Sequence, residues 1–530
     1  MPRMKIDNRD VEVPAGTTIL QAARALGIDI PTLCHREGMA PLTSCVVCLV
    51  RIEGRPALVP SCAAAAEEGL VVHSQEPEVM EARKTALELL LSDHLGDCEG
   101  PCHSTCPAHM NIPLMIRQIH AGQMKDAIAT IKDDIALPAV LGRICPAPCE
   151  KACRRGAKDA PLAICLLKRF AADADLASGS PYLPPCKAAS GKRVAVVGAG
   201  PAGLAVAYHL LRAGHACTIF DANESPGGML RYGVPEPRLP RGVLDAEIET
   251  IRRMGAVFRR GVRVGRDVTL DALRREFAAV ALAVGAVREP EGALGLPAGP
   301  RGIQADHHTH QTPVAGVFAG GDAVGPGPHR MAVRAEAAGK AMAASIDQLL
   351  GGRPVAGPHR PFGVHIGSLQ EGEIDLFMPE GSGSPRVAPR IDDPAHEGRC
   401  LPSLSAADAA AESARCLHCD CRKAGDCRLR THCQALGAHG GRLRSPHRRR
   451  FSQDRSHPRV VYESGKCIAC GLCVAIAEER REELGLAFVG RGFNVRVAVP
   501  FGKAVADALR QAAEECVAAC PTGALAWRGA

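Results

Sequence analysis

The chain has 530 residues, of which 24 are cysteines and only 3% are aromatic, and its formal net charge is +7. This length predicts several domains, with cores made mainly of aliphatic side chains. The stretch from Met1 to Val13 has no apolar signal core, so we expect a cytoplasmic protein without a membrane span, in which clustered cysteines bind metal. The charge does not indicate nucleic-acid binding, because the basic run His447 to Arg450 is interpreted as a solvated loop.

Residues 1–75 are predicted to form a first domain, with short alternating segments and a helix from Thr18 to Leu26. Its cysteines follow the pattern C-x10-C-x2-C-x13-C and are Cys34, Cys45, Cys48 and Cys62. Four thiolates suit zinc or an iron–sulfur cluster, and the long first gap favours a [2Fe–2S] cluster. The stretch resembles the N-terminal ferredoxin domain of the large iron–sulfur subunit of complex I and of iron hydrogenases. This resemblance implies a ubiquitin-like fold and a [2Fe–2S] cluster on these four cysteines.

Residues 76–180 are predicted to be helical, beginning with a helix from Glu81 to Leu91. Two triplets with C-x3-C-x3-C spacing follow: Cys98, Cys102 and Cys106, then Cys145, Cys149 and Cys153. The region resembles the N-terminal helical domain of the glutamate synthase small subunit and of dihydropyrimidine dehydrogenase. The resemblance implies two [4Fe–4S] clusters, one on Cys98, Cys102 and Cys153 and the other on Cys106, Cys145 and Cys149.

The remaining ligands of these two clusters depart from that family. His94 resembles a histidine that ligates a complex I cluster, and its alternative is a solvent-facing residue at a helix end. The last family ligand falls near Lys168, which cannot serve while it is charged. Cys165 is the candidate replacement, and its alternative is a buried free cysteine.

A linker from Ala177 to Lys187 leads to a predicted dinucleotide domain, residues 186–352. An apolar strand from Val194 to Val197 precedes a G-x-G-x-x-G motif, a helix, and a strand from Ala216 to Phe220; the predicted binding residues are Gly198, Gly200, Gly203 and Asp221. The glycines allow a tight turn close to a pyrophosphate, which the helix N-terminus attracts, and the acid can bind a ribose hydroxyl.

Two later stretches resemble the glutamate synthase small-subunit family, whose dinucleotide is FAD. The first is the flavin-proximal loop, with Gly227, Gly228, Gly233 and Arg238; the second is a fingerprint with Gly321 and Asp322. A helix from Met331 to Leu349 follows. The resemblance implies that FAD is the bound cofactor and that this helix points its N-terminus at the flavin ring.

The unit that binds NADPH in that family has no counterpart here. The predicted strand from Ala281 to Gly285 is followed, before Gly316, only by a stretch rich in Gly, Pro and His. Because one βαβ pass needs about 30 residues, this stretch is too short for a nucleotide-binding domain. We expect that pyridine nucleotide is not bound directly, and that the histidines in this stretch (His307, His308 and His310) lie in a solvated loop.

The C-terminal third begins with a second linker, residues 353–400, predicted to have some strand character. Residues 401–445 carry a C-x2-C-x-C-x5-C group that could hold a [4Fe–4S] cluster or zinc: Cys416, Cys419, Cys421 and Cys427. Cys433 is interpreted as a spare.

Residues 455–530 carry a bacterial-ferredoxin pattern for one [4Fe–4S] cluster, with Cys467, Cys470, Cys473 and Cys520. Ala477 stands where the CP cysteine of the first half would be, and only Cys516 remains of the second half, so the second cluster is lost.

The sequence therefore predicts a multi-domain α/β and α+β protein. Its parts are a ubiquitin-like [2Fe–2S] ferredoxin domain, a helical [4Fe–4S] domain, a Rossmann-type FAD domain and a C-terminal ferredoxin-like domain. We expect an oxidoreductase subunit that passes electrons between FAD, its clusters and a partner redox subunit. Two alternatives remain: a pure electron conduit in a hydrogenase- or formate dehydrogenase-like complex, and an NAD(P)H-dependent reductase whose nucleotide site a partner supplies.

Overall fold

The computed structural model describes residues 1–286, 294–299, 302–325, 331–378, 383–387, 400–444 and 448–529. The chain divides into two compact units that are discontinuous in sequence. The first unit consists of residues 1–99, 361–379 and 418–530, and the second of residues 100–360 and 380–417. In the described part of the chain, no helix is both long enough and apolar enough to cross a membrane.

The helices of the described residues are α1 (Ile19–Ala25), α2 (Pro77–Ser92), α3 (Pro101–Thr105), α4 (Ile112–His120), α5 (Met124–Asp134), α6 (Pro138–Ile144), α7 (Pro148–Lys151), α8 (Ile164–Ala177), α9 (Pro201–Arg212), α10 (Met229–Tyr232), α11 (Arg241–Arg253), α12 (Leu270–Glu276), α13 (Ala332–Leu350), α14 (Glu373–Phe377), α15 (Ala406–Ser413), α16 (Arg428–Leu436), α17 (Leu472–Glu479), α18 (Val505–Ala508) and α19 (Ala513–Ala519).

The strands are β1 (Arg3–Ile6), β2 (Arg9–Glu12), β3 (Leu49–Ile52), β4 (Val59–Pro60), β5 (Val71–His73), β6 (Arg193–Val197), β7 (Ala216–Asp221), β8 (Val257–Arg260), β9 (Ala279–Leu282), β10 (Ala298–Gly299), β11 (Gly302–Ile303), β12 (Val317–Ala319), β13 (Val460–Tyr462), β14 (Ala487–Val489), β15 (Arg496–Ala498) and β16 (Leu525–Trp527).

The N-terminal part of the first unit is a mixed sheet with strand order β2-β1-β5-β3-β4. Side chains of β1 alternate between solvent and core, and Met4 and Ile6 are buried. A capping box between Thr18 and Gln21 starts α1, whose apolar face covers the sheet. This sheet has the fold that the sequence predicts for a [2Fe–2S] domain.

The C-terminal part of the first unit is a small ferredoxin domain. Its antiparallel hairpins are β13 with β16 and β14 with β15, and α17 and α19 pack together beside them. The segment after residue 360, predicted to be a linker, belongs to this unit instead. The backbone N–H of Ile366 donates to Asp97 at 3.0 Å, and the rings of Phe377 and Phe451 stack with centroids 4.0 Å apart. Its described residues form α14 and no strand, so the expected strand character is not found there.

The basic run near residue 450 was expected to be a solvated loop, but part of it packs inward. Arg448 forms an ion pair with Glu373, whose side chain is completely buried, and the backbone N–H of Phe451 donates to the same carboxylate at 2.7 Å. A buried carboxylate requires such partners, which explains why the run packs inward. His447 lies outside the described residues.

The second unit combines a helical part, α3 to α8, with a five-stranded sheet of order β12-β9-β6-β7-β8. All strand pairs in this sheet are parallel, as expected for a Rossmann domain. The two parts share hydrogen bonds: the hydroxyl of Tyr208 on α9 donates to the carbonyl of Lys132 at 2.6 Å. Glu247 on α11 accepts from the backbone N–H groups of Ala139 and Val140, and so caps α6.

The chain passes from β9 to β12 without a second nucleotide-binding domain in the described residues. These two strands are direct parallel neighbours in the sheet. Between them, the described residues contain no helix and only the short hairpin of β10 and β11. Residues 287–293 and 300–301 lie outside the described residues.

Candidate iron–sulfur and dinucleotide sites

The four cysteines of the N-terminal domain lie together and are all buried. The Sγ atoms of Cys34 and Cys45 are 3.3 Å apart and share a hydrogen bond that lowers the pKa of Cys34 to about 5. The pKa of Cys62 is raised by its hydrogen bond with Cys48, by burial and by the charges of all three other thiols. This donor set fits a cluster that binds four thiolates, because the four buried thiols lie close enough to influence one another's pKa.

The cysteines of the C-terminal domain, Cys467, Cys470, Cys473 and Cys520, all line one cavity. Burial raises the pKa of Cys467 to about 11 and that of Cys470 to about 12. The leftover Cys516 is completely buried, and its Sγ lies 3.7 Å from the carbonyl oxygen of Cys473. The cavity fits the single [4Fe–4S] cluster that the spacing predicts.

A second cavity lies in the helical part of the second unit. Its lining includes Cys106, Cys145, Cys149, Cys165 and Lys168. A hydrogen bond from Cys165 lowers the pKa of Cys145 to about 6, whereas burial raises that of Cys149 to about 12. The structure therefore places Cys165 in the same cavity as the three cysteines of the predicted set.

Lys168 lies in this cavity but is unsuited as a ligand. Burial by itself would lower its pKa, but the surrounding thiolates, with Cys165 and Cys145 foremost, raise it above the ordinary value. The ammonium group thus stays charged and balances the charge of its thiolate neighbours.

The rest of the cysteines in the second unit gather near the same helices. Cys102 on α3 packs against the apolar core that also contacts Cys153 and Cys416. The Nη1 atom of Arg155 donates to the carbonyl of Arg415 at 2.7 Å, which places the residues after Cys153 beside the residue before Cys416.

The boundary between the units falls between residues 417 and 418, inside the cysteine group that the sequence assigned to one cluster. In the described part of the chain, no group of His, Cys, Asp and Glu side chains could hold a single metal ion.

The glycine loops of the dinucleotide site converge at the N-terminus of α9. A Cβ on Gly228 would be 2.8 Å from the Cα of Gly200, and a Cβ on Gly321 would be 3.1 Å from the Cβ of Ala202. The flavin-proximal loop and the second fingerprint thus both reach the first glycine motif. Since a Cβ on Gly200 would meet only Gly228, at 3.9 Å, space remains here for the close approach of a pyrophosphate.

The carboxylate of Asp221 ends β7 and is 7% exposed. Its Oδ2 accepts from the backbone N–H of Ala199 at 2.6 Å, and its Oδ1 accepts from the backbone and side chain of Asn223. Asp221 therefore fixes the glycine loop, a role that the sequence did not predict. A carboxylate has about four acceptor positions, so it can also bind a ribose hydroxyl.

The other predicted cofactor residues lie on the loops around this site. Gly227 donates its backbone N–H to Ala199 at 2.9 Å, whereas Gly233 and Arg238 are exposed. Gly321 and Asp322 form a short turn directly after β12. The residues present fit FAD, because the loops leave a glycine-lined space at the helix N-terminus.

Four family models match separate parts of the chain. Residues 3–77 match a 2Fe-2S iron-sulfur cluster binding domain, and residues 92–180 match dihydropyrimidine dehydrogenase domain II with its 4Fe-4S cluster. Residues 196–259 match an NAD(P)-binding Rossmann-like domain, and residues 460–527 a 4Fe-4S single cluster domain. The predicted fold class and combination of domains are confirmed.

Curated relatives match part of the chain. The NADP(+)-dependent formate dehydrogenase subunit beta of Moorella thermoacetica is 44% identical over 207 residues, 35% of this chain and 29% of the relative. The glutamate synthase [NADPH] small chain of Mycobacterium tuberculosis is 41% identical over 191 residues, 36% of this chain and 39% of the relative. The chain thus spans about a third of the length of these relatives, and over that part the resemblance to the glutamate synthase small chain is confirmed.

One solved structure, an NAD+-reducing [NiFe]-hydrogenase in the H2-reduced state, is similar over 100% of this chain and 88% of its own. The identity is 13% and the TM-score 0.36, a likeness too weak to bear on fold or function.

Proposed function

We propose that this chain is the iron–sulfur flavoprotein subunit of an oxidoreductase, and that it passes electrons between FAD, its clusters and a partner redox subunit. FAD takes up or releases two electrons, whereas each cluster carries one, so the combination converts between the two kinds of transfer. The chain's own residues position both groups, exclude water from the cysteine cavities and set the charge around them.

One observation carries this proposal. Helix α13 follows the second dinucleotide fingerprint, packs on α9 of the glycine motif, and contributes Val333 to the lining of the Cys106–Cys165 cavity. The expected flavin site and a cysteine cavity are therefore built on the same helix. Such an arrangement suits electron transfer between the two groups, and no acid–base pair or nucleophile is needed for it.

A second candidate function is favoured by the parallel pairing of β9 with β12, between which the described residues form only a short hairpin. If the partner supplies the pyridine-nucleotide site, the complete assembly is an NAD(P)H-dependent reductase. Both named relatives have NADP or NADPH in their names, and both are subunits. This reading differs from the first only in the identity of the electron donor.

Anaerobic purification from the native host, with flavin, iron and zinc analysis and identification of co-purifying chains, tests the proposal. We expect FAD, iron in large excess over zinc, and a redox subunit as partner. A chain that contains zinc at its cysteine groups, or that lacks flavin when freshly isolated, would contradict it. Zinc confined to one group would remove the cluster assignment of that group only.

A further inference from the structure

The first unit brings together cysteines that the sequence assigned to different clusters. Cys98 stands at the end of the N-terminal part of this unit. Its backbone N–H donates to the carbonyl of Val364 at 3.0 Å, and its Sγ accepts from the backbone N–H of Val364 at 3.5 Å. Both bonds tie Cys98 to the segment that returns to this unit after residue 360.

Arg430 links this segment to the later cysteines. Its Nε donates to the carbonyl of Phe362 at 2.6 Å, and its Nη2 donates to Glu99, the residue after Cys98, at 2.9 Å. The backbone N–H of Arg430 is also 3.5 Å from the Sγ of Cys427, which accepts from it. A single arginine therefore holds the surroundings of Cys98 and Cys427 together.

The turn that follows Cys520 lies next to Cys421 as well as to Cys427. A Cβ on Gly523 would be 2.3 Å from the Sγ of Cys421. Two residues earlier, the carbonyl of Pro521 lies 3.8 Å from the Sγ of Cys427 and accepts from the backbone N–H of Leu429 at 3.3 Å. Both cysteines therefore line one turn of the C-terminal domain.

The electrostatics agree with this arrangement. Burial raises the pKa of Cys98, and the charge of Cys421 raises it further. Burial likewise raises the pKa of Cys427 to about 12, with the charges of Cys421 and Cys98 adding to the effect. Deprotonation of the buried thiols of Cys98 and Cys427 requires a strong positive charge beside them, such as that of bound iron.

A fourth ligand is available in His94. The backbone N–H of Leu95 donates to the carbonyl of Gly465 at 2.7 Å, and a Cβ on Gly96 would be 2.8 Å from the side chain of Lys466. That side chain also approaches the Cβ position of Gly523, beside Cys421, at 3.7 Å. The Nδ1 atom of His94 is buried, and it has no hydrogen-bond partner among the described residues. A buried nitrogen without a partner destabilises the fold, and a metal bond to its lone pair removes this cost.

Cys433, on α16, is the other candidate. Cys427 is the N-cap of this helix, Cys433 lies six residues later, and the charges of Cys427 and Cys98 add to the burial that raises the pKa of Cys433 to about 12. Cys433 is completely buried within an apolar cluster. A buried thiol can remain there without a hydrogen-bond partner at little cost, whereas the unpartnered Nδ1 of His94 cannot, and this difference favours His94 as the fourth ligand.

We infer that His94, Cys98, Cys421 and Cys427 hold one [4Fe–4S] cluster inside the first unit, so that Cys98 does not share a cluster with Cys102 and Cys153. The inference rests on the iron–sulfur part of the proposed function and requires nothing about flavin, donor or partner.

Iron content of the anaerobically purified full chain tests the grouping. Cys98→Ala and Cys421→Ala should each lose about four irons, and the double variant should lose no more than either single one. Under the grouping by sequence the two residues belong to different clusters, so a double variant that loses about eight irons would overturn the inference. If the wild-type chain itself holds no iron, it is the proposed function that fails.

Pulsed EPR of the reduced protein tests the fourth ligand. We expect a strongly coupled nitrogen on one cluster, which disappears in His94→Cys while the iron content is kept. Cys433→Ala is the matched control and should change neither the iron content nor the nitrogen coupling. If Cys433→Ala loses the cluster, or if the coupling survives in His94→Cys, the histidine assignment is wrong.

Discussion

Gly203 packs against Gly198 so closely that a Cβ at position 203 would lie 1.8 Å from the carbonyl oxygen of Gly198. Gly200, between them, has open space where its own Cβ would be, apart from Gly228 at 3.9 Å. The three glycines of one motif therefore serve different purposes. Gly198 and Gly203 allow helix α9 to pack on the sheet, and Gly200 leaves space for the ligand.

Gly200→Val should abolish FAD binding without unfolding the chain, because its side chain enters only the space for the pyrophosphate. The isolated variant should lose the flavin absorbance by more than tenfold and keep the iron of its N-terminal clusters. Gly203→Ala should instead lower the melting temperature, since backbone atoms must move apart. A Gly200→Val chain that still binds FAD, or wild-type chain that binds NAD tightly in its place, would contradict this assignment.

Cys45→Ser should remove the [2Fe–2S] signal and no other. Its three fellow ligands all lie in the N-terminal domain, within one buried group. EPR of the dithionite-reduced chain, with iron analysis, is the measurement, and we expect the loss of about two irons per chain. Cys186→Ser, at an exposed cysteine outside every group, is the control. Loss of a [4Fe–4S] signal as well would show that the domain does not fold independently.

The stability of the second unit should fall between about pH 4.5 and pH 7. Burial raises the pKa of Glu247 from its ordinary 4.5 to about 7, so the folded chain keeps a proton that the unfolded chain has released. The free energy of unfolding therefore decreases as pH rises through this window, by up to ~3 kcal/mol. Burial also raises the pKa of Glu336, to about 8, so the free energy of unfolding continues to decrease up to about pH 8.

Thermal unfolding of Glu247→Gln at several pH values measures this effect. The variant cannot ionise at this position, so its melting temperature should vary less with pH than that of the wild type. Glu249→Gln, on the exposed face of the same helix α11, should retain the wild-type slope. Equal slopes in wild type and Glu247→Gln would show that the buried carboxyl does not titrate in this range.

The isolated chain should not oxidise NADH or NADPH efficiently. The flavin accepts hydride only when a nicotinamide ring is held against it, and the described residues between β9 and β12 contain only a short hairpin. Dye reduction with each nucleotide, before and after addition of the co-purifying partner, measures this. Rapid turnover by the chain alone at micromolar nucleotide would show that this chain binds pyridine nucleotide directly.

The periodicity and glycine pattern of the sequence predicted local structure well. The strand expected from Val194 and the helix expected from Met331 are observed as Arg193–Val197 and Ala332–Leu350. Such elements are predictable because their signals lie within a few neighbouring residues. The cysteine spacings of the first and last domains are also local signals in the sequence. In each of these domains the structure places the four cysteines of the predicted group together.

The long-range groupings could not be predicted from the sequence. Val364 lies in a stretch rich in Gly and Pro that was interpreted as a linker, yet it makes both backbone bonds to the Cys98 region. Arg430 carries no motif, and only the fold places it beside Glu99. The same holds for the approach of Gly523 to Cys421. Contacts between distant segments depend on tertiary packing. The spacing of cysteines along the sequence does not indicate that packing.

The discontinuity of the first unit has a consequence for biogenesis. Residues 1–99 leave the ribosome long before residues 418–530 exist, and at about 5–20 residues per second the delay is tens of seconds. During that time the apolar side chains of α2 lack the cover of α16, and only N-terminal residues such as Leu33 and Val47 pack against them. The first unit is therefore completed only after residues 418–530 are made, whereas the second unit still lacks residues 320–360 and 380–417 when its Rossmann sheet is complete.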